Sequence, residues 1–328
     1  MLCWGKIQLT FDNKYIHMIP FISQLPATEQ AIWVEKLNAK LPNETVVLAT
    51  DIPKEKRSSC TIAIVANPGI TLLSEFKNLH WLHSVWAGVE KLMASLHTST
   101  IQVTRLVDPH LSQTMAEAVL AWSLYLHRDM PTYAIQQQNK QWQQLDYIPA
   151  SKRRIGILGL GELGRVSALQ LQQNGFQVMG WSRTAKTLAG ISTFSGEIGL
   201  VDMATQSDIL ICLLPLTSAT KGIVNTALLN KMPKGSSVIN FARGDIIATD
   251  DLLKALDDKQ IKHAVLDVFE QEPLSSHSEL WQHPNITVLP HISAPTNMNS
   301  ACTIVADNIM HYRQTGQLPE CVDKVKGY

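Results

Sequence analysis

The stretch Ile155-Gly156-Ile157-Leu158-Gly159-Leu160-Gly161-Glu162-Leu163-Gly164 decides the fold. A short apolar run stops at glycine, and a helical pattern starts within a few residues. Gly159, Gly161 and Gly164 spell G-x-G-x-x-G. The first glycine permits a tight turn, the second lets backbone approach a pyrophosphate, and the third lets helix and strand pack closely. Phosphate would then sit at a helix N-terminus, where unpaired N–H groups and the dipole favour negative charge. Asn174-Gly175 is the expected end of that helix. The reading is a dinucleotide site, with Glu162 and Leu163 in its first helical turn.

Downstream, apolar runs at 154–158, 177–182, 208–213, 237–240, 263–268 and 285–289 read as six strands with helices between most of them. That is a doubly wound α/β domain. Thr249 before Asp250 and Asp251 reads as a helix start, the hydroxyl capping N–H groups and the acids suiting the positive dipole end. The second strand ends in Ser182-Arg183-Thr184-Ala185-Lys186, with no acid to hold a ribose 2′-hydroxyl. An acid there would repel a 2′-phosphate, whereas Arg can grip it through a planar fork. NADP(H) is therefore the expected cofactor, and NAD(H) a weaker one.

Upstream, 45–49, 61–65 and 81–86 are strand candidates, the last closed by Ala87-Gly88. Ile32, Trp33, Leu37 and Leu41 repeat at helical spacing within 27–41. A long helix is expected from near Ser112, with Met115, Val119, Trp122 and Leu126 on one face. It runs into six glutamines between 136 and 144, around Trp142. That segment is either a solvated helix end or an arm reaching a second subunit.

The chain has 328 residues, enough for about two domains. Apolar residues make up 45% and charged residues 17%, which suits folded domains rather than disorder. The 28 basic and 28 acidic side chains cancel, which excludes a broadly basic nucleic-acid surface. Cys3, Cys60, Cys212, Cys302 and Cys321 are odd in number and include no C-x-x-C pair, so neither a disulfide framework nor a metal site is expected. The start has no long apolar stretch, and no run approaches the ~20 apolar residues of a membrane helix. A cytoplasmic protein without a membrane partner is expected. No repeat of 20–50 residues is visible.

Three further segments follow strands: Asn240-Phe241-Ala242-Arg243-Gly244, Asp267-Val268-Phe269-Glu270-Gln271-Glu272-Pro273-Leu274 and Pro290-His291-Ile292-Ser293-Ala294. Singly, each is an ordinary polar loop. Together, beyond the carboxyl ends of strands in an open α/β sheet, they fall on the same edge as the glycine turn.

With these motifs the chain resembles the D-isomer-specific 2-hydroxyacid dehydrogenases over nearly its whole length. The resemblance rests on GLGELG at 159–164, LPLTSAT at 214–220, ARG at 242–244, DVFEQEP at 267–273 and HISA at 291–294. Within the family it is most similar to the glyoxylate/hydroxypyruvate reductases, through WSRT at 181–184, IQQQNKQW at 135–142, LWQHP at 280–284 and VDKVKGY at the end.

The resemblance implies two doubly wound domains. A Rossmann cofactor domain, 105–292, with a dimerisation arm at about 123–149, is inserted into a flavodoxin-like substrate domain of 1–104 and 293–328. The active site would lie in the cleft between them. The implied catalytic set is Arg243, which binds the substrate carboxylate and polarises the keto oxygen; His291, the general acid in reduction; and Glu272, which hydrogen-bonds His291 and holds it protonated. Trp86, Ala87, Gly88 and Val89 would form the carboxylate loop, with Arg243. Cofactor contacts would come from Gly159, Gly161, Glu162, Leu163, Gly164, Ser182, Arg183, Thr184, Lys186, Leu214, Pro215, Thr220, Ala242, Arg243, Asp267, His291 and Ser293.

The implied activity is NADPH-dependent reduction of glyoxylate to glycolate and of hydroxypyruvate to D-glycerate, by a homodimer in which Trp142 lines the partner's site. Trp86, Glu90 and Ser293 depart from the family pattern and bear on substrate preference. Two alternatives stand beside this reading. One is a dinucleotide-sensing, corepressor-like protein, which would not need Arg243, Glu272 and His291. The other is another D-2-hydroxyacid dehydrogenase, such as a D-lactate dehydrogenase.

Overall fold

The computed structural model describes residues 18–324 and 327. Cys3 and the apolar character of the first residues lie outside these, as do Val325, Lys326 and Tyr328 of the terminal motif. The described residues divide into two compact units. One takes the residues up to Asp108 together with those from Thr296 onward; the other is the continuous segment Pro109–Pro295.

The first unit holds β1 (Met18–Ser23), β2 (Thr45–Leu48), β3 (Ile62–Ala66), β4 (Trp81–Ser84) and β5 (Gln102–Thr104). They form one parallel sheet in the order β2-β1-β3-β4-β5, the flavodoxin-like winding. β1 and β5 were not among the strand candidates. β1 carries Pro20 in its middle, which argues against a strand, and β5 is a short Gln102-Val103-Thr104 run that opens on an exposed glutamine and has no apolar run of its own. Side chains alternate between two cores, as a sheet covered on both faces requires. Ile62 and Ile64 join Phe21, Trp33, Leu37 and Trp81 on one face, closed by Ala301, Val305 and Ile309 of the helix Met298–Thr315. Ala63 and Val65 join Leu73, Phe76, Leu92 and Met93 on the other. The helix Ala27–Lys40 packs on the Met298–Thr315 helix, although its neighbour in sequence is β2.

The second unit holds β6 (Arg154–Leu158), β7 (Gln177–Ser182), β8 (Ser192–Ser195), β9 (Ile209–Cys212), β10 (Ser236–Asn240), β11 (Ile261–Leu266) and β12 (Ile286–Val288). Within the order β12-β11-β10-β9-β6-β7-β8, the six strands β8-β7-β6-β9-β10-β11 are the dinucleotide-binding winding and β12 is added at the edge. Seven strands therefore replace the six expected. The extra one, β8, is a partly exposed edge strand, Ser192-Thr193-Phe194-Ser195, with no apolar run to announce it. Ile155, Ile157, Ile209, Ile211 and Val265 pack under the helices Pro109–His127 and Glu162–Gln173. Leu158, Leu210, Val238 and Leu266 pack under Met203, Leu228, Leu252 and Leu256 on the opposite face. Burying each such side chain is worth about 1.5–3 kcal/mol over leaving it exposed.

Two local expectations are corrected. Thr249 does not cap its helix: it is the first residue of Thr249–Asp257, behind Ala248, and its hydroxyl lies 3.2 Å from Glu270 Oε1. Asp251 also looks away from its own helix, accepting the N–H of Thr226 at 2.8 Å, which lowers its carboxyl pKa. The long helix starts at Pro109 rather than near Ser112 and ends at His127; a second helix, Met130–Gln138, carries the first glutamines. Cys60, Cys212, Cys302 and Cys321 are free thiols, and burial pushes Cys212 up to about 12. No helix among the described residues is long and apolar enough to cross a membrane.

Two buried histidines make the stability pH-dependent. His83 on β4 lies 3.0 Å through Nδ1 from the carbonyl of Ser84 and 2.8 Å through Nε2 from the Asn308 side-chain nitrogen. An Nδ1–H tautomer satisfies both contacts with a neutral ring. Burial lowers His83 from 6.5 to about 4, and His263 on β11 likewise to about 4. The unfolded chain therefore takes up protons near pH 6.5 that the folded chain refuses until about pH 4. The contribution is complete above pH 6.5 and shrinks as pH falls, by up to about 3 kcal/mol per site. Melting temperature should drop steeply from pH 7 to pH 4.5, and a His83→Gln/His263→Gln double variant should flatten the slope. An unchanged slope in the double variant would assign the acid lability elsewhere.

Candidate active site

The strand register lines up the ends that carry the chemistry. Leu158, Cys212, Asn240, Leu266 and Val288 form one row across β6, β9, β10, β11 and β12. The residues following that row are Gly159, Leu213, Phe241, Asp267 and Leu289. The glycine turn, the Arg243 turn, the Asp267–Glu272 loop and His291 therefore leave one edge of one sheet.

At the first turn, Gly159 has φ +105°, and a Cβ there would stand 2.8 Å from the Leu213 carbonyl. A Cβ on Gly164 would stand 1.8 Å from the Gly159 carbonyl. The chain itself demands these two glycines. Gly161 is different: a Cβ there meets nothing within 4 Å. No protein atom requires glycine at 161, so the missing side chain fits the close approach of a ligand. The helix Glu162–Gln173 begins directly behind it with no side-chain cap, leaving its first N–H groups to a phosphate. These residues fit a dinucleotide. Glu162 turns along its own helix to Arg165 at 2.7 Å. The helix ends at Asn174, with Gly175 at φ +87°.

Beyond β7, the Ser182 hydroxyl donates to the Thr184 carbonyl at 2.8 Å, fixing the turn that presents exposed Arg183 and Thr184. Lys186 reaches back across the turn and donates to the Leu160 carbonyl at 2.8 Å. Its ammonium thus adds positive charge at the glycine loop, a link between two motifs that the sequence presented separately. Across β9, Leu214 packs beside Gly159, and the Thr220 hydroxyl donates to the Pro215 carbonyl at 2.7 Å to close the 215–220 turn.

The Arg243 turn is held by Asn240, which accepts the Ala242 N–H at 3.1 Å and donates to the Arg243 carbonyl at 2.9 Å. Arg243 Nη1 donates to the Ala242 carbonyl at 2.6 Å, and the side chain is half-buried. His291 Nδ1 lies 2.8 Å from Glu272 Oε2, and Glu272 Oε1 accepts the N–H of Phe269 at 2.9 Å. The carboxylate spans its own loop and the imidazole. With Nδ1 donating to it, Nε2 is the nitrogen left for a proton transfer.

His291 has φ +55°, the left-handed region. Buried Asp267 holds the chain there: its two oxygens accept the N–H groups of Ile292 at 2.7 Å and Ser293 at 2.9 Å. Asp267 is thus a positioning residue for His291, with both oxygens already engaged by backbone. The Ser293 hydroxyl is buried without a partner.

In the first unit, the loop after β4 places Trp86 edge-on to Trp33, with ring centroids 5.8 Å apart. Trp86 is thus packed against that unit's core. Among the described residues the N–H groups of Ala87, Gly88 and Val89 have no hydrogen-bond partner, so three donors stand together. No group of three or more His, Cys, Asp or Glu side chains with metal-binding geometry occurs among the described residues.

Residues 120–293 match the model of the D-isomer specific 2-hydroxyacid dehydrogenase NAD-binding domain. A D-isomer specific 2-hydroxyacid dehydrogenase from Xanthobacter autotrophicus Py2, solved with NADPH and MES, is 34% identical, with 95% of this chain and 99% of that one covered and a TM-score of 0.88. An NADPH-dependent glyoxylate/hydroxypyruvate reductase from Sinorhizobium meliloti, solved with NADP and sulfate, is 30% identical, covering 95% and 100%, with a TM-score of 0.86. A probable 2-hydroxyacid dehydrogenase from Rhizobium etli CFN 42, solved with NADP, HEPES and L(+)-tartaric acid, is 27% identical over 95% and 100%, also with a TM-score of 0.86. With its two parallel sheets and the polar groups gathered at one sheet edge, the chain belongs to the D-isomer specific 2-hydroxyacid dehydrogenases. It is an NAD(P)-dependent oxidoreductase of small 2-hydroxy and 2-keto acids.

Proposed function

We propose that this chain is an NADPH-dependent reductase of small 2-keto acids, turning glyoxylate into glycolate and hydroxypyruvate into D-glycerate. The observation that carries the reaction is the His291–Glu272 pair at the strand edge that holds the glycine turn. The preference for NADPH is supported by exposed Arg183, by Lys186 over the turn, and by the absence of an acid from 182–186.

When bound, the reduced nicotinamide supplies the hydride to the keto carbon. The chain's own groups manage charge and proton. Arg243 binds the carboxylate and offers a donor to the keto oxygen, where negative charge builds. His291 Nε2 delivers the proton to that oxygen, and Glu272 accepts from Nδ1 throughout. Ala87, Gly88 and Val89 offer backbone donors for the carboxylate.

The same reading makes the protein a cytoplasmic homodimer. Wholly exposed Trp142 and exposed Tyr147 in the 123–149 arm are apolar surface for a second copy to cover. The test is loss of reduced-cofactor absorbance, with NADPH and NADH in parallel, on glyoxylate, hydroxypyruvate, pyruvate and oxaloacetate. Fast NADPH oxidation with the first two is expected. Arg183→Ala should raise KM for NADPH at least about tenfold, the scale of a charge-assisted contact, and leave NADH nearly unchanged. Equal losses for both cofactors would remove the 2′-phosphate assignment.

A further inference from the structure

The first unit carries three arginines, and two of them are neutralised by acids. Arg57 pairs with Glu75, and Arg313 pairs with Glu44 at 2.8 Å. Arg105 is half-buried, yet it forms no ion pair among the described residues. The only hydrogen bond of its side chain among those residues runs from Nη1 to the Leu106 carbonyl at 3.5 Å, the outer limit of such a bond. A guanidinium normally stays in water or, where it is desolvated, meets an acid. Arg105 has neither arrangement, which points to an anion from outside the chain.

The sheet register says where that guanidinium lies. β4 and β5 pair Leu82 with Val103 and His83 with Thr104, so Ser84 and Arg105 come next, at the carboxyl edge. The Leu106 N–H donates to the Trp86 carbonyl at 3.0 Å, so the chain leaving β5 runs beside the loop leaving β4. Faces alternate through this stretch. Val103 belongs to the core that holds Val89, Leu92 and Met93. Thr104 accepts from the Trp81 indole at 3.0 Å, and Leu106 is buried with Trp81 in the other core. Arg105, between them, leaves on the side of Val103 and Val89. The unpaired N–H groups of Ala87, Gly88 and Val89 stand in the adjoining loop. An unmatched cation and three unmatched donors thus share one corner of one sheet.

We propose that Arg105 is a substrate-binding residue, whose guanidinium is the counter-charge for the carboxylate that the 87–89 N–H groups hold. Three neutral donors satisfy oxygen lone pairs but leave the charge uncompensated, and taking an uncompensated carboxylate out of water is costly. A planar guanidinium matches both carboxylate oxygens. The assignment rests on the reductase reading above and gives it a reason to select acids, since a neutral carbonyl compound offers Arg105 nothing to pair with. The carboxylate keeps its charge while the keto group is reduced. The contact is therefore equally strong before and during hydride transfer, and it governs binding rather than turnover.

The test uses the full-length protein saturated with NADPH. Arg105→Gln keeps donors and removes the charge, and Arg105→Lys keeps the charge and removes the fork. With Gln, KM for glyoxylate should rise about 10- to 100-fold, the worth of a charge-assisted contact, with Lys between Gln and the parent. kcat should stay within about threefold and KM for NADPH should not move. Affinity for oxalate, measured by calorimetry, should fall in step with the glyoxylate KM. The parent's preference for glyoxylate over its methyl ester should collapse in Arg105→Gln, a change that a merely structural role would not produce. A parent that binds oxalate through Arg105 but reduces no keto acid would sink the reductase reading and leave this assignment standing. The assignment is overturned if the parent does not bind oxalate, if KM and oxalate affinity are parental in Arg105→Gln, or if that variant keeps the preference for acid over ester.

Discussion

His291→Asn is expected to lower kcat for keto-acid reduction about 10³-fold, the range lost when a positioned acid–base group is removed. Asparagine is the informative replacement. His291 occupies the left-handed region at φ +55°, which asparagine tolerates better than alanine. The Asp267 bonds to the N–H groups of Ile292 and Ser293 then persist, and only the imidazole is lost. NADPH affinity should change little, because the glycine turn and the 182–186 segment are untouched. Glu272→Gln should give a smaller fall, since the amide keeps an oxygen to accept from Nδ1 but loses the charge. Near-normal turnover in His291→Asn would move the proton transfer to another group.

Gly244→Ala should damage both stability and turnover. A Cβ at 244 would stand 2.0 Å from the Phe269 carbonyl carbon and 2.2 Å from the Glu270 N. Both are backbone atoms, and neither can swing away. The Arg243 turn and the Glu272 loop must therefore separate, at about 3 kcal/mol, the upper part of the range for overpacking. A displacement near 1 Å also takes Arg243 and Glu272 off line, which is worth about 10²-fold in kcat/KM. Gly161→Ala is the matched control. It meets no protein atom, so its denaturation midpoint should equal that of the parent while its dinucleotide affinity falls. A Gly244→Ala protein with parental stability and kcat would show that the two loops are not coupled.

The contrast between these glycines shows what the sequence could reveal. The G-x-G-x-x-G turn was legible because its causes are local: a strand, a turn and a helix within ten residues. The six strands of the second unit that carry an apolar run, β6, β7 and β9 to β12, were legible for the same reason. Gly244 and Asp267 act across 25 residues of chain, through the approach of loops that only the sheet order brings together. No periodicity encodes that approach. β8 escaped because an edge strand facing solvent needs no apolar pattern, and Thr249 misled because its hydroxyl finds Glu270 rather than its own helix. Lys186 was visible as a basic residue, but its bond to the Leu160 carbonyl depends on the fold of the intervening helix and strand.

The helix Met298–Thr315 has a consequence for how the chain is made. It covers the face of the first sheet that Phe21, Ile62, Ile64 and Trp81 present, yet it is synthesised more than 190 residues after β5 ends. The inserted unit is continuous and can complete itself while still emerging from the ribosome. The amino-terminal sheet has no such independence. Its apolar face waits for the last helix, and that long closure makes it the slow step of maturation. A ribosome that stalls before residue 298 releases a chain with a finished nucleotide-binding half and an open, adhesive sheet beside it.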